Sequence, residues 1–193
     1  MVVVEKEGVK VFACAIEPEA CSGGGNTVRR AERCAVEKLV ANAFGPDISL
    51  QHCDNGAPFV NVDNVTVSVS HCRGLALLAV DCNGRAVGVD AERVNRGHQL
   101  QRVAAKFLSP EQLGYWSADS KRLLRAWTIK EALYKAVSID GWPLHDIPLP
   151  ADVDNVVDDG GNGTLLNVHG KSYRVFGMDV AEPEAFVTVA VEI

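Results

Sequence analysis

The sequence predicts an α+β fold in which each half of the chain lays a helix against antiparallel strands. Three observations carry this. Val65-Thr66-Val67-Ser68-Val69-Ser70 alternates strictly, as a half-buried strand does. Val36, Leu39, Val40, Ala43 and Phe44 recur at helical spacing and end at Gly45-Pro46, a glycine stop followed by a residue that cannot continue a helix. A second helical pattern, Ala126, Ile129, Leu133, Ala136 and Val137, precedes a tail in which Val187, Val189 and Val191 alternate. No internal sequence repeat is visible, so the likeness of the halves rests on the order of their elements.

Taken in order, Val2 to Ala15 reads as an opening strand with a turn near Gly8, and Pro18 to Gly25 as a loop. Asn26 or Thr27 caps the first helix, whose other face carries Arg29, Arg30, Arg33, Glu37 and Lys38. A turn at Asn55-Gly56-Ala57-Pro58 leads to the alternating strand, which runs into Ser70-His71. Gly74 to Asp81 is a continuous apolar strand. Asn83-Gly84 is a two-residue hairpin signal, which makes Arg85 to Glu92 the returning strand. The expected division is an N-terminal lobe over 1–95 and a C-terminal lobe over 96–193, with the boundary between Asn95 and His98. Ser109-Pro110-Glu111-Gln112 forms a capping box with proline at the first helical position. A longer helix spans Asp119 to Val137 and is stopped by Asp140-Gly141 and Pro143. Leu165 to Ile193 reads as strands with a hairpin at Ala181-Glu182-Pro183-Glu184.

A chain of 193 residues is long enough for a sizeable core. Its net charge of -6 argues against broad binding to nucleic acid or an anionic membrane, both of which need a dense basic surface. No apolar run approaches the roughly 18 residues that span a bilayer. Met1-Val2-Val3-Val4-Glu5-Lys6-Glu7 lacks the basic start of a signal peptide. The expected location is cytoplasmic, with cysteines 14, 21, 34, 53, 72 and 82 as reduced thiols. His52-Cys53 and His71-Cys72 do not make a zinc site. Neighbours on extended chain point to opposite faces, and no pair has zinc-ligand spacing.

Two stretches carry the chemistry: Val87-Gly88-Val89-Asp90-Ala91-Glu92 and Trp127-Thr128-Ile129-Lys130-Glu131-Ala132-Leu133-Tyr134-Lys135. On a strand, Gly88, Asp90 and Glu92 share one face and Val87 and Val89 turn to the core. The glycine beside the acids is expected to leave room for a ligand. On a helix, Glu131 and Lys135 share a face with Trp127 one turn earlier, while Lys130 points about a quarter turn away. Three hard oxygen donors and two cations suit a magnesium ion that holds phosphate oxygens. Spacing alone leaves another reading open, a solvated strand end and an ordinary surface pair.

The paired motifs resemble the two signatures of the 4′-phosphopantetheinyl transferase superfamily, and Glu92 with the chain length resembles its Sfp-like branch. Upstream, Val67-Ser68-Val69-Ser70-His71-Cys72 is similar to that family's Ser-His segment, and Gly56-Ala57-Pro58 to its Gly-x-Pro element. The likeness runs from about Arg33 to Lys135. It implies two similar lobes related by a pseudo-twofold, with the nucleotide between them, in a chain that acts as a monomer. The implied activity is transfer of the 4′-phosphopantetheine arm of coenzyme A to a serine of an apo acyl or peptidyl carrier protein, releasing 3′,5′-ADP. Asp90, Glu92 and Glu131 would hold Mg²⁺. Glu131 would also activate the serine, and Lys135 would meet the transferring phosphate. Ser70, His71 and Lys130 would bind phosphates of coenzyme A. Arg33 would meet its 3′-phosphate, with Arg29 and Arg30 as alternatives. Ala57 stands where some relatives carry lysine, so one cationic contact is absent there. Two other activities use the same residues: metal-assisted hydrolysis of a nucleotide pyrophosphate, and non-catalytic binding of coenzyme A or a carrier protein.

Overall fold

The computed structural model describes residues 2–17, 27–152, 156 and 163–193. It divides into two compact units, Met1–Arg85 and Ala86–Ile193. Each is a helix packed on a four-stranded antiparallel sheet, which is the predicted α+β class.

In the first unit the expected turn near Gly8 makes the opening segment a hairpin of two strands. β1 (Val2–Lys6) turns through Glu7 and Gly8, both at positive φ, into β2 (Val9–Ala15). After α1 (Thr27–Phe44) come the two-residue strands β3 (Gln51–His52) and β4 (Pro58–Phe59), paired with each other, then β5 (Thr66–Cys72) and β6 (Leu75–Asp81). The main sheet runs β1-β2-β6-β5. Val36, Leu39 and Val40, the stripe read from the sequence, are buried with Phe12, Val67, Leu78 and Val80. The loop expected over Pro18 to Gly25, the Asn26 cap and Cys21 lie outside the described residues.

The hairpin signal at Asn83-Gly84 does not make a hairpin. β5 and β6 form the hairpin instead, Cys72 opposite Leu75, so Arg73-Gly74 turns the chain. Beyond β6 the fully buried Asp81 takes over the local backbone. Its carboxylate accepts from the amides of Asn83 (2.9 Å) and Arg85 (3.0 Å) and from the Arg85 guanidinium. Burial by itself pushes a carboxyl pKa up; these bonds outweigh it and hold Asp81 below the usual range. The chain therefore leaves the sheet.

The next strand, β7 (Val87–Arg93), begins the second unit. It pairs along its whole length with β10 (Ala185–Glu192), Asp90 opposite Thr188, and is an edge of the order β7-β10-β9-β8. β8 is Thr164–Val168 and β9 is Lys171–Val180. The units therefore divide at 85/86, before the expected 95/96, because the partner of β7 is the C-terminal strand. The β9–β10 turn lies at the expected 181–184. Short helices follow β7: α2 (Gly97–Leu100), α3 (Ala104–Phe107) and α4 (Pro110–Trp116), the last with the predicted capping box.

α5 (Ser120–Val137) is the centre of this unit. The Asp119 carboxylate caps it, accepting from the amides of Lys121 (2.8 Å) and Arg122 (2.9 Å). Leu123, Leu124, Ala126, Ile129, Ala132 and Leu133 are all fully buried. The helix is thus apolar around more of its circumference than one stripe, with the sheet on one side and the short helices on another. Thr128 reaches the sheet through its hydroxyl, 2.8 Å from that of Thr188.

Against β7 the contact is closer still. A Cβ on Gly88 would lie 1.9 Å from the Ala132 carbonyl oxygen and 2.7 Å from the Ala136 nitrogen. The space at Gly88, expected for a ligand, belongs to the helix backbone. Gly88→Ala is expected to lower stability by about 3 kcal/mol or more, because backbone atoms have to move. Gly114→Ala in α4, where a Cβ meets nothing within 4 Å, should be neutral or gain about 0.5–1 kcal/mol. Urea unfolding midpoints of the two variants test the pair; equal midpoints would refute the close contact.

Candidate active site

The Gly88 contact fixes what lies further along both elements. Trp127, Glu131 and Lys135, successive turns of one α5 face, come over the end of β7 that carries Asp90 and Glu92. The Lys135 ammonium donates to Asp90 Oδ1 (2.8 Å) and to the Val89 carbonyl (2.9 Å). The Trp127 indole Nε1–H donates to Glu92 Oε1 at 3.1 Å. Strand and helix therefore meet at the acidic residues. Asp90 and Glu92 are only 6% and 8% exposed, which rules out a solvated strand end.

A residue absent from the sequence reading completes this cluster. Arg96, in a 3₁₀ turn over Val94–Arg96, pairs through Nη1 with the same Oε1 of Glu92. Its guanidinium lies 5.4 Å from the centre of the Trp127 ring. Phe107 braces that ring edge-on at 5.0 Å. Arg96 stands four residues after Glu92, a pair that a helix would advertise, but a strand end followed by a 3₁₀ turn has no such rule.

Glu131 lies between these pairs. Burial raises its pKa first, and the nearby Asp90 charge raises it further; Lys135 and Arg96 oppose the shift. Its proton is thus held more tightly than that of an ordinary carboxyl. The expected three-carboxylate metal cage is not preassembled: among the described residues no group of three His, Cys, Asp or Glu side chains is gathered as a metal site. Lys135 and Arg96 sit on Asp90 and Glu92 instead.

Lys130, expected among the phosphate contacts, is elsewhere. It is fully buried, and its ammonium donates to the carbonyls of Leu144 (2.9 Å) and Ile147 (2.5 Å). The quarter turn that separates it from Glu131 carries it under the segment after α5, where it ties that segment to the helix.

The remaining predicted residues belong to the first unit. Ser70 is buried on β5, while His71 is exposed beside it. His71 Nδ1 lies 3.5 Å from Glu32 Oε1 on α1. Arg29, Arg30 and Arg33 are exposed on the same helix, and Arg33 Nε is 3.7 Å from Glu37 Oε1. The Ser-His segment and the basic helix face are thus brought together. Ala57 donates its amide to Asn55 Oδ1 (3.0 Å) in the turn before β4.

Burial pulls the Lys130 pKa from 10.5 down to about 7. Between those values the folded chain holds the neutral amine while the unfolded chain holds the charged one. The unfolded state binds more protons there, so stability rises with pH across the window. Relative to Lys130→Met, the wild type should gain about 1–4 kcal/mol as pH is raised from about 7 to about 10. Paired denaturant titrations at several pH values check this; a flat difference would show an ordinary lysine.

No curated protein matches the chain. A family model does: residues 86–177 match that of the 4′-phosphopantetheinyl transferase superfamily. The match spans just under half of the 193 residues. It includes Asp90, Glu92, Arg96, Trp127, Glu131 and Lys135 and omits Arg33, Ser70 and His71. Over the segment that carries the acid cluster, the chain is similar to 4′-phosphopantetheinyl transferases.

Proposed function

We propose that the protein transfers the 4′-phosphopantetheine arm of coenzyme A to a serine hydroxyl of an apo acyl or peptidyl carrier protein, as an Sfp-like enzyme. The observation that carries this reading is the meeting of the β7 acids with one face of α5, Lys135 on Asp90 and Trp127 on Glu92 with Glu131 on the turn between, inside the segment that matches the family. Buried acids facing a helix that the Gly88 contact already holds are a costly arrangement for structure alone.

The donor set fits a magnesium ion: carboxylate oxygens from a strand and a helix, all hard ligands, with enough mutual repulsion to favour a dication. Asp90, Glu92 and Glu131 would hold it. When bound, the ion supplies neutralisation of charge on the pyrophosphate oxygens.

The chain's own residues do the rest. Glu131 accepts the proton of the carrier serine, directly or through one water. The serine oxygen then bonds to the phosphorus that bears the pantetheine arm, and the bond from that phosphorus to 3′,5′-ADP breaks. Lys135 offsets the negative charge that grows on the transferring phosphate. In the first unit, Arg33, with Arg29 and Arg30 beside it on α1, together with Ser70 and His71, is assigned to the phosphates of coenzyme A. Lys130 is left out because its ammonium is engaged by Leu144 and Ile147.

Incubated with Mg²⁺ and coenzyme A, a panel of apo carrier proteins should include one that gains about 340 Da, the mass of the arm. No gain on any member would count heavily against the reading. On the responsive carrier, Glu131→Gln should lower turnover by about 10²–10⁴-fold, the usual contribution of a positioned acid or base. Full turnover in that variant would remove Glu131 from the chemistry.

A further inference from the structure

The geometry points to Arg96 as an exchangeable counter-cation of the site: it holds Glu92 while no metal is bound, yields the carboxylate to a divalent cation, and then meets the phosphates of the incoming nucleotide. This rests on the metal-dependent reading above.

Three observations support it. First, the Glu92 carboxylate receives both of its donors, Trp127 Nε1 and Arg96 Nη1, on Oε1. The indole anchors the acid, so Glu92 keeps its place when the guanidinium leaves. Second, the pair is unequal: the Arg96 side chain is 40% exposed and that of Glu92 only 10%. The acid belongs to the packed end of β7, whereas the arginine stands on a 3₁₀ turn with part of its side chain open to solvent. If the pair opens, the cation moves. Third, the guanidinium lies against the Trp127 ring, one turn before Glu131 on the same face of α5, so it stands beside the acid group rather than beside Glu92 alone.

Before a metal binds, one mobile cation limits the repulsion among buried carboxylates at little cost. A dication makes that cation redundant and repels it. A planar guanidinium set free at that point has the fork geometry that pairs with phosphate oxygens, and Trp127 gives it a flat surface to slide along.

The test uses the full chain and reads binding directly. Mn²⁺ is titrated into protein without coenzyme A or carrier, and free Mn²⁺ is followed by electron paramagnetic resonance. Arg96→Gln should bind Mn²⁺ about 3- to 10-fold more tightly than the wild type, the range expected for removing a half-exposed unit charge beside a dication. Arg96→Lys should lie near the wild type, since it keeps the charge. With saturating Mn²⁺, the Gln variant should then bind coenzyme A about 10-fold more weakly, as loss of a charge-assisted pair implies.

Equal or weaker Mn²⁺ binding by Arg96→Gln, with a wild type that binds, would sink the inference and leave the metal site standing; Arg96 would then be a brace for Glu92. Unchanged coenzyme A affinity would remove the phosphate half. If neither protein takes up Mn²⁺, the metal-dependent reading fails and this inference with it.

Discussion

Everything that distinguishes the second unit follows from one close approach, that of the α5 backbone to β7 at Gly88. A helix normally stands off a sheet by the length of its side chains. At Gly88 no side chain intervenes, and the Ala132 carbonyl occupies the space that a Cβ would need. The axis is drawn toward the edge strand, which brings the Trp127–Glu131–Lys135 face within reach of Asp90 and Glu92. A wider separation would leave Lys135 unable to bridge to both Asp90 and the Val89 carbonyl. The same contact takes the carboxylates out of water, so their charges have to be met by protein groups.

Those groups are unequal partners. Asp90 has Lys135, and Glu92 has Arg96 and the Trp127 indole. Glu131 shows no direct ion pair among the described residues, and its raised pKa expresses that position: burial and the Asp90 charge outweigh two cations that act at a distance. A carboxyl of this kind takes up a proton more readily than an ordinary one. On the proposed reading the division of roles comes from this imbalance, with Asp90 and Glu92 engaged by cationic partners and Glu131 poised to receive a proton.

Much of this was legible in the residue order. Period two located the strands at Val65–Ser70 and Val187–Val191, although they are not half-buried as the alternation implies: Ser68, Ser70 and Thr188 are buried too. Period 3.6 in both long helices reports faces that water does not reach. The sharing of a helix face by Trp127, Glu131 and Lys135 is likewise a matter of spacing. What misled was local chemistry overruled by distant partners. Asn83-Gly84 is a sound turn signal, yet Asp81 and Arg85 redirect the chain there, and β7 finds its partner about a hundred residues away at β10. Gly88 carries no mark to separate a glycine that admits a ligand from one that admits a helix. Lys130 sits inside a charged motif but one residue off its face, and only the segment around Leu144–Ile147 shows where its ammonium goes.

Exposure decides which way such a site can change. In both ion pairs the acid is the better buried partner: the Asp90 side chain is 8% exposed against 29% for that of Lys135, and the Glu92 side chain 10% against 40% for that of Arg96. Long cationic chains keep their heads near solvent and reorient at small cost, whereas short acids on a strand are fixed by the backbone. A ligand that competes for this site therefore meets stationary anions and movable cations. On the proposed reading a dication bearing a pyrophosphate would match that order, replacing the cations at the acids and offering them phosphate oxygens in return. The resting ion pairs and the proposed loaded state are in this sense two settings of the same charges, with the acids as the fixed frame.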